Sequence, residues 1–313
     1  MLKISVLIPS FNEEANIMAV YTAVKTELER LSKYDYEILF IDNASIDATQ
    51  DILESIAAKD SYVRCIFNAR NFGFSNSQFY GLLQTSGDCV ILLYADLQEP
   101  VEMISAFVRE WEKGYKIVIG QKTSSKENRV MYSIRTLYYK IIKKFSTVEQ
   151  IEHFTGFGLY DKSFIDILRD LEDPAPFLRG LVAELGSRLK RIPYEQQLRH
   201  GGKSGFNLYK LYDLAMLSIT SYTKIGIRLA VFLGAIAGFF SVVIGVLYLI
   251  LKLLYWDKFP AGTAPMLIGM MFLGAVQLFF IGMIGEYILT INTRLMKRPL
   301  VIEEKRINFD NVR

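Results

Sequence analysis

The chain has 313 residues, with 36 Lys and Arg against 33 Asp and Glu and a formal net charge of +3. That balance is too slight to build the basic surface a nucleic acid requires, so composition assigns no nucleic-acid partner. A hydrophobic share of 51% is high for a soluble chain and low for a fully embedded one, and two long apolar runs account for the excess after position 225.

The N-terminal "MLKISVLIPSFNEE" (1–14) is not expected to be a signal peptide, because its apolar run is short and ends in proline and acidic residues. Residues up to about 120 instead alternate as βαβ units do. "KISVLIP" (3–9), "YEILFID" (36–42), "VRCIFN" (63–68) and "DCVILLY" (88–94) are near-continuous apolar runs, the pattern of strands covered on both faces. Between the first three lie "EEANIMAVYTAVKTELERLSK" and "DATQDILESIAAK", with helical spacing and charged outer faces. Cys65 and Cys89 fall inside strand runs and read as buried thiols of a reducing compartment. In an open α/β sheet, ligands bind beyond the carboxyl ends of the strands. Asp42 and Asp96 both lie at such ends. From sequence position alone Asp96 is either a helix cap or a metal ligand.

Past residue 120 the pattern loosens. "RVMYSIRTLYYKIIKKF" (129–145) is predicted to be a basic amphipathic helix, either solvated or resting on anionic lipid. "FTGFGLYD" (154–161) reads as a strand or tight loop, and 206–224 as an amphipathic helix. Residues 229–251 run for 23 positions without a charge, and 265–285 for 21 with Gln277 as the one strongly polar side chain. Each is long enough to span a hydrocarbon core of about 30 Å. Lys224 and Arg228 precede the first run, and Arg294, Lys297 and Arg298 follow the second. The positive-inside rule then places both ends of this hairpin, and the large N-terminal domain, in the cytoplasm.

Four motifs in a set order carry a family resemblance: "IPSFNEE" (8–14), "IDNASIDAT" (41–49), "RNFGFSNSQFYGL" (70–82) and "YADLQEP" (94–100). Together with "RHGGKS" (199–204) and "GEYILTINTRLMKRP" (285–299), they resemble the inverting family 2 glycosyltransferases, in particular the polyprenyl-phosphate sugar transferases. The resemblance covers essentially the whole chain. It implies a GT-A type, Rossmann-like, mostly parallel α/β sheet with helices on both faces, followed by amphipathic surface helices and a two-span transmembrane hairpin. The expected division is a catalytic domain over 1–200, a juxtamembrane segment over 201–227, two transmembrane helices over 228–291 and a cytoplasmic tail over 292–313.

The resemblance also implies roles. Pro9, Phe11, Glu13, Asp42 and Asn43 would line the nucleotide site, with Asp96 beside them. Asp96 and the amide oxygen of Gln98 would hold a divalent metal, Mg or Mn, whose remaining ligands are diphosphate oxygens and water. Arg199 and Ser204 would close over the diphosphate, with Asp96 and Arg199 as the catalytic pair. Lys122, Arg129 and Arg135 would receive the acceptor phosphate, which is already anionic and needs no strong base. The chain departs from the family pattern at Tyr94, where an Asp is usual, at Asn43, at Phe11, at Lys122, and at Gly156 and Gly158, where relatives carry an acidic residue and an arginine.

The implied activity is inverting transfer of a hexose-type sugar from a nucleotide sugar, UDP-linked, to undecaprenyl phosphate by a multi-pass inner-membrane enzyme. The family also suggests a homo-oligomer. Two alternatives stand beside this reading: a non-catalytic sugar-nucleotide-binding scaffold, and a transferase with a polysaccharide or protein acceptor.

Overall fold

Runs of Val, Ile, Leu and Phe form the centre of a twofold-covered sheet. The structure, a computed structural model, describes residues 1–124, 151, 153–186, 188–197, 216, 225–255, 263–296 and 298–309. Strands β1 (Lys3–Ser10), β2 (Asp35–Asp42), β3 (Val63–Asn68) and β4 (Cys89–Leu92) pair in parallel in the order β4-β1-β2-β3.

Alternate residues of these strands enter opposite core layers, as a period of two requires. Ile4, Val6, Ile8, Ile38 and Phe40 pack with helices α1 (Ile17–Arg30), α2 (Thr49–Lys59) and α4 (Met103–Glu112). Leu7, Leu39, Ile41 and Ile66 pack on the other face with α3 (Phe74–Gln84), α5 (Lys162–Asp170) and α6 (Leu178–Leu185). Double coverage is why the strands are apolar throughout. Each fully buried Leu, Ile or Phe contributes about 1.5–3 kcal/mol. Truncating Phe107, fully buried on the inner face of α4, would cost about 3–5 kcal/mol. Cys65 and Cys89 are buried with free thiols.

Beyond β4 the sheet continues with β6 (Gly158–Asp161), β5 (Ile117–Ser124) and β7 (Leu189–Glu195). β6 runs antiparallel to both β4 and β5, and β7 runs parallel to β5. The carboxyl ends of β5 and β7 therefore share an edge with those of β1 to β4, and the start of β6 opens onto it. Gly158 sits where a Cβ would lie 2.6 Å from the Val118 carbonyl oxygen. The close approach of β5 to β6 excludes any side chain there.

The segment read as a tail contributes a strand. β8 (Glu303–Ile307) pairs antiparallel with β3, completing eight strands among the described residues in the order β7-β5-β6-β4-β1-β2-β3-β8. Its charged sequence, EEKRI, suits an edge strand, where Lys and Glu discourage further pairing. Asn308 donates to the carbonyls of Ala57 and Val63 at 2.7 and 2.8 Å, and Lys305 pairs with Glu54.

The described residues fall into two compact units: the sheet with its helices and the residues from Met296 onward, and a pair of long helices. The latter are α7 (Ile225–Leu254) and α8 (Thr263–Leu295), which contain the two predicted spans. Among the described residues one stretch, Phe272–Thr293 in α8, is long and apolar enough to cross a membrane, with mean hydropathy 1.8. The apolar stretch found in α7, Val231–Phe240, is shorter. The predicted amphipathic helices over 129–145 and 206–224 lie outside the described residues, apart from Met216.

Candidate active site

The strand order reverses between β1 and β4, and the loops that follow these two strands face each other across that switch point, the usual crevice of a doubly wound sheet. The loop after β1 carries Phe11, 39% exposed, and Glu13. It is laced to the loop after β2. Asn12 N–H donates to Ser45 Oγ at 2.8 Å, Ile46 N–H to Asn12 Oδ1 at 2.9 Å, and Glu13 N–H to Thr49 Oγ1 at 2.9 Å. Asn12 adopts φ +54 and Ala44 φ +60, left-handed conformations that such tight loops tolerate at some cost. Pro9 pairs with Ile41 and Ser10 with Asp42 in the β1–β2 register, so the ends of these two strands lie side by side.

Asp42 is fully buried. Its carboxylate accepts from Ser45 N–H at 2.9 Å, from the Ser45 hydroxyl, and from Gln50 Nε2 at 2.8 Å. Burial pushes its pKa up, and these bonds offset the rise only in part. Asn43 is wired to the loop after β3. Its Oδ1 accepts from Asn68 Nδ2 and Phe72 N–H, both at 3.0 Å, while its Nδ2 donates to Asn71 Oδ1 at 3.0 Å. A carboxylate at 43 has no hydrogen to give Asn71, so the neutral amide suits this wiring.

The loop after β4 is held from two sides. Gln98 N–H reaches Asp96 Oδ1 at 3.3 Å, and Leu97 takes φ +55 to make the turn. The Gln98 carbonyl accepts from Gln197 N–H at 2.9 Å, and Gln98 Oε1 accepts from Gln196 Nε2 at 3.0 Å. The second bond aims the Gln98 amide and leaves its oxygen a further lone pair, as ligation would need. No cluster of three or more His, Cys, Asp or Glu able to hold a metal occurs among the described residues.

Glu99 escaped the sequence reading. It is 3% exposed, its Oε2 has no hydrogen-bond partner among the described residues, and Tyr194 Oη donates to its Oε1 at 3.4 Å. Burial, then the charge of Asp96, raise its pKa to about 8, while Lys122 pulls it down. The only local signal was a carboxylate three positions past Asp96. Lys122 faces Tyr194 across the β5–β7 pairing, at the carboxyl edge of the sheet. Arg129, Arg135, Arg199 and Ser204 lie outside the described residues.

The fold and this edge define a nucleotide-dependent transferase of the GT-A type. A family model described as glycosyl transferase family 2 matches residues 5–168, and the chain belongs to that family; it is a glycosyltransferase. Among curated relatives, the bactoprenol glucosyl transferase of Shigella phage SfX is 32% identical over 97% of this chain and 100% of its own length. The prophage bactoprenol glucosyl transferase homolog of Escherichia coli K12 is 30% identical over 96% and 98%. Among solved structures, the chain is similar to mannosyl-3-phosphoglycerate synthase from Rubrobacter xylanophilus, at 16% identity over 69% of this chain and 71% of that one, with a TM-score of 0.49. It is also similar to glucosyl-3-phosphoglycerate synthase from Mycobacterium tuberculosis, in complex with Mn2+, UDP and glucosyl-3-phosphoglycerate. There the identity is 19% over 70% and 78%, with a TM-score of 0.45.

Proposed function

We propose that the chain transfers a hexose from a UDP-linked donor to undecaprenyl phosphate at the cytoplasmic face of the membrane, inverting the anomeric carbon. The observation that carries this reading is the Asp96–Glu99 loop, set at the switch point and tied to the end of β7 through Gln196 and Gln197. An oxygen of the acceptor phosphate forms a bond to the anomeric carbon as the bond to the donor diphosphate breaks. The nucleoside diphosphate leaves with the electron pair.

The chain's own residues bind and orient for this step. Asp96 and Gln98 would hold Mg or Mn, and Glu99 Oε2 in the same loop, buried and without a partner among the described residues, is the kind of orphaned oxygen such a loop carries for a cation-bearing substrate. When bound, the ion supplies Lewis-acid neutralisation of the leaving diphosphate. Gln197 precedes Arg199 by two residues, so the chain that pins the Asp96 loop leads directly to the arginine and Ser204 proposed for the diphosphate. Asp42 and Asn43 fix the nucleotide loops, with Phe11 against the base. Lys122, Arg129 and Arg135 would receive the lipid phosphate. The lipid acceptor is supported by relatives named bactoprenol glucosyl transferases that match nearly end to end. Incubating the enzyme and undecaprenyl phosphate with a panel of radiolabelled nucleotide sugars tests it. One sugar label should partition into organic solvent, and label found only in water-soluble product would overturn the acceptor.

Two membrane crossings are part of the same proposal. β8 follows α8 yet belongs to the sheet built from residues before α7. A chain that crossed once between them would leave β8 on the wrong side of the bilayer, so the number of crossings is even. With Phe272–Thr293 as one span, α7 supplies the other. Cysteines introduced at Lys258 and Asn311 should react with impermeant reagent from opposite sides, and labelling of both from one side would refute the hairpin.

A further inference from the structure

The carboxyl ends of β2 and β3 and the start of β8 form one corner of the sheet, and this corner exposes apolar and basic side chains together. Ile46, on the loop after β2, is 90% exposed. The loop after β3 carries an exposed Arg70, a half-buried Phe72 and Phe74, which is 43% exposed. Ile302, the residue before β8, is 55% exposed. The Arg70 guanidinium lies over the Phe72 ring, 4.3 Å from its centroid, and makes no ion pair with a described residue.

These side chains stand on a braced backbone. Phe72 N–H donates to Asn43 Oδ1 at 3.0 Å, Gly73 N–H to Asn71 Oδ1 at 2.9 Å, and Asn76 Nδ2 to the Phe72 carbonyl at 3.3 Å. Gly73 makes the turn at φ +89, a conformation that glycine adopts without strain. Ile46 N–H is tied to Asn12 across the neighbouring loop. The exposure is therefore a fixed feature of the fold.

The chain that leaves α8 enters the sheet at this same corner. Ala69 N–H donates to the Ile302 carbonyl at 2.9 Å, and β8 then begins with Glu303 opposite Asn68, the last residue of β3. Leu300 packs against the core and Val301 is buried, which anchors the entry. Seven residues, Met296 to Ile302, join the end of α8 to that bond, a reach of at most about 25 Å. Lys297 and Arg298 are among them. Exposure alone does not single out this corner, since Met1, Leu2 and Tyr62 are exposed at the amino edge. The arginine and the entering chain do.

We propose that Ile46, Arg70, Phe72, Phe74 and Ile302 form a surface that rests on the anionic headgroup layer of the bilayer. The apolar side chains enter the interface and Arg70 meets lipid phosphate. This rests on the membrane-anchored transferase reading above, in which Phe272–Thr293 of α8 is a span. The contact turns the carboxyl edge of the sheet toward the surface that holds a lipid acceptor.

Spin-label depth measurements test the surface. Ile46→Cys and Ile302→Cys, with Lys113→Cys at the far end of α4 as control, are labelled in the full-length protein, whose native Cys65 and Cys89 are buried. Each is placed in nanodiscs of phosphatidylcholine and phosphatidylglycerol. Labels at 46 and 302 should be more accessible to oxygen than to a water-soluble nickel chelate, and the label at 113 should show the reverse. In the same nanodiscs Arg70→Gln should raise the apparent KM for undecaprenyl phosphate about fivefold, the factor one basic side chain is worth at an anionic surface. That increase should vanish in neutral detergent, and UDP affinity by calorimetry should stay within about twofold of the parent.

Labels at 46 and 302 as water-exposed as the one at 113 would overturn the docking surface. So would an Arg70→Gln defect that persists in neutral detergent or appears equally in UDP affinity, because the loop would then serve the nucleotide. Interfacial labels in a parent protein that transfers no sugar would sink the transferase reading and leave the surface standing.

Discussion

The two edges of the sheet treat carboxylates in opposite ways. At the amino edge, Glu37 is buried yet meets Lys3 and Arg64 at 2.8 and 2.9 Å and accepts from Ser5 and Ser86. Burial alone would raise its pKa, but Lys3, Ser5 and Ser86 more than offset it and the net shift is downward. Asp161 ends β6 at this edge and is likewise lowered despite burial, by Ser163, Trp111 and Lys116. At the carboxyl edge, Asp42 and Glu99 are just as buried and both are raised, with no ion pair to a described residue. The buried polar side-chain atoms without a partner among the described residues, Asn68 Oδ1 and Glu99 Oε2, lie at this edge too. A paired carboxylate stabilises the fold, whereas an unpaired one is tolerated where a ligand completes it. One edge pairs its buried carboxylates, and the other, the proposed substrate edge, leaves them without ion pairs among the described residues.

The largest expected effect breaks the functional edge. Asp96→Asn removes the hard anionic oxygen proposed to hold the donor's cation and should lower transfer at least about 1,000-fold, on the order of 4 kcal/mol of transition-state stabilisation. Its melting temperature should stay within a degree or two of the parent. Near-normal turnover with saturating Mg or Mn would remove Asp96 from the site.

Glu37→Gln should show the converse. It leaves two cations facing a neutral amide, and breaking a mostly buried pair costs about 3 kcal/mol, read as a lower denaturation midpoint. Activity per folded molecule should be unchanged. Because the folded pKa of Glu37 lies below its unfolded value, its contribution is full above the ordinary Glu range and is lost as pH falls through the folded value. The deficit of the variant should therefore shrink as pH drops below about 4. A deficit independent of pH would mean that packing, not charge, holds this edge.

Glu99→Gln is the subtlest probe. It replaces a buried acid lacking a partner on one oxygen with a neutral amide, so stability should rise by about 1 kcal/mol. Binding of Mn2+ with UDP, followed by Mn2+ electron paramagnetic resonance, should weaken severalfold. A rise in stability with metal binding untouched would place Glu99 outside the site.

Much of this was legible in the chain. The parallel strands of residues 3–92 announce themselves because burial on both faces demands continuous apolar runs, and α1 and α2 because one buried face demands a 3.6-residue period. Asp42 and Asp96 were placed at one edge, since strand ends are read from where such runs stop, whereas Lys122 was named only through the family resemblance. The charge-free lengths of α7 and α8 were equally plain. Only the tertiary structure made a strand of 303–307, because an edge strand that buries little carries charged residues and reads as a tail. It likewise decided the antiparallel insertion of β6, the burial of Glu99 against Tyr194, and the bond between Ala69 and Ile302. Each depends on residues tens to hundreds of positions apart. Contacts of that kind are fixed by which strands lie side by side, and local composition holds no trace of them.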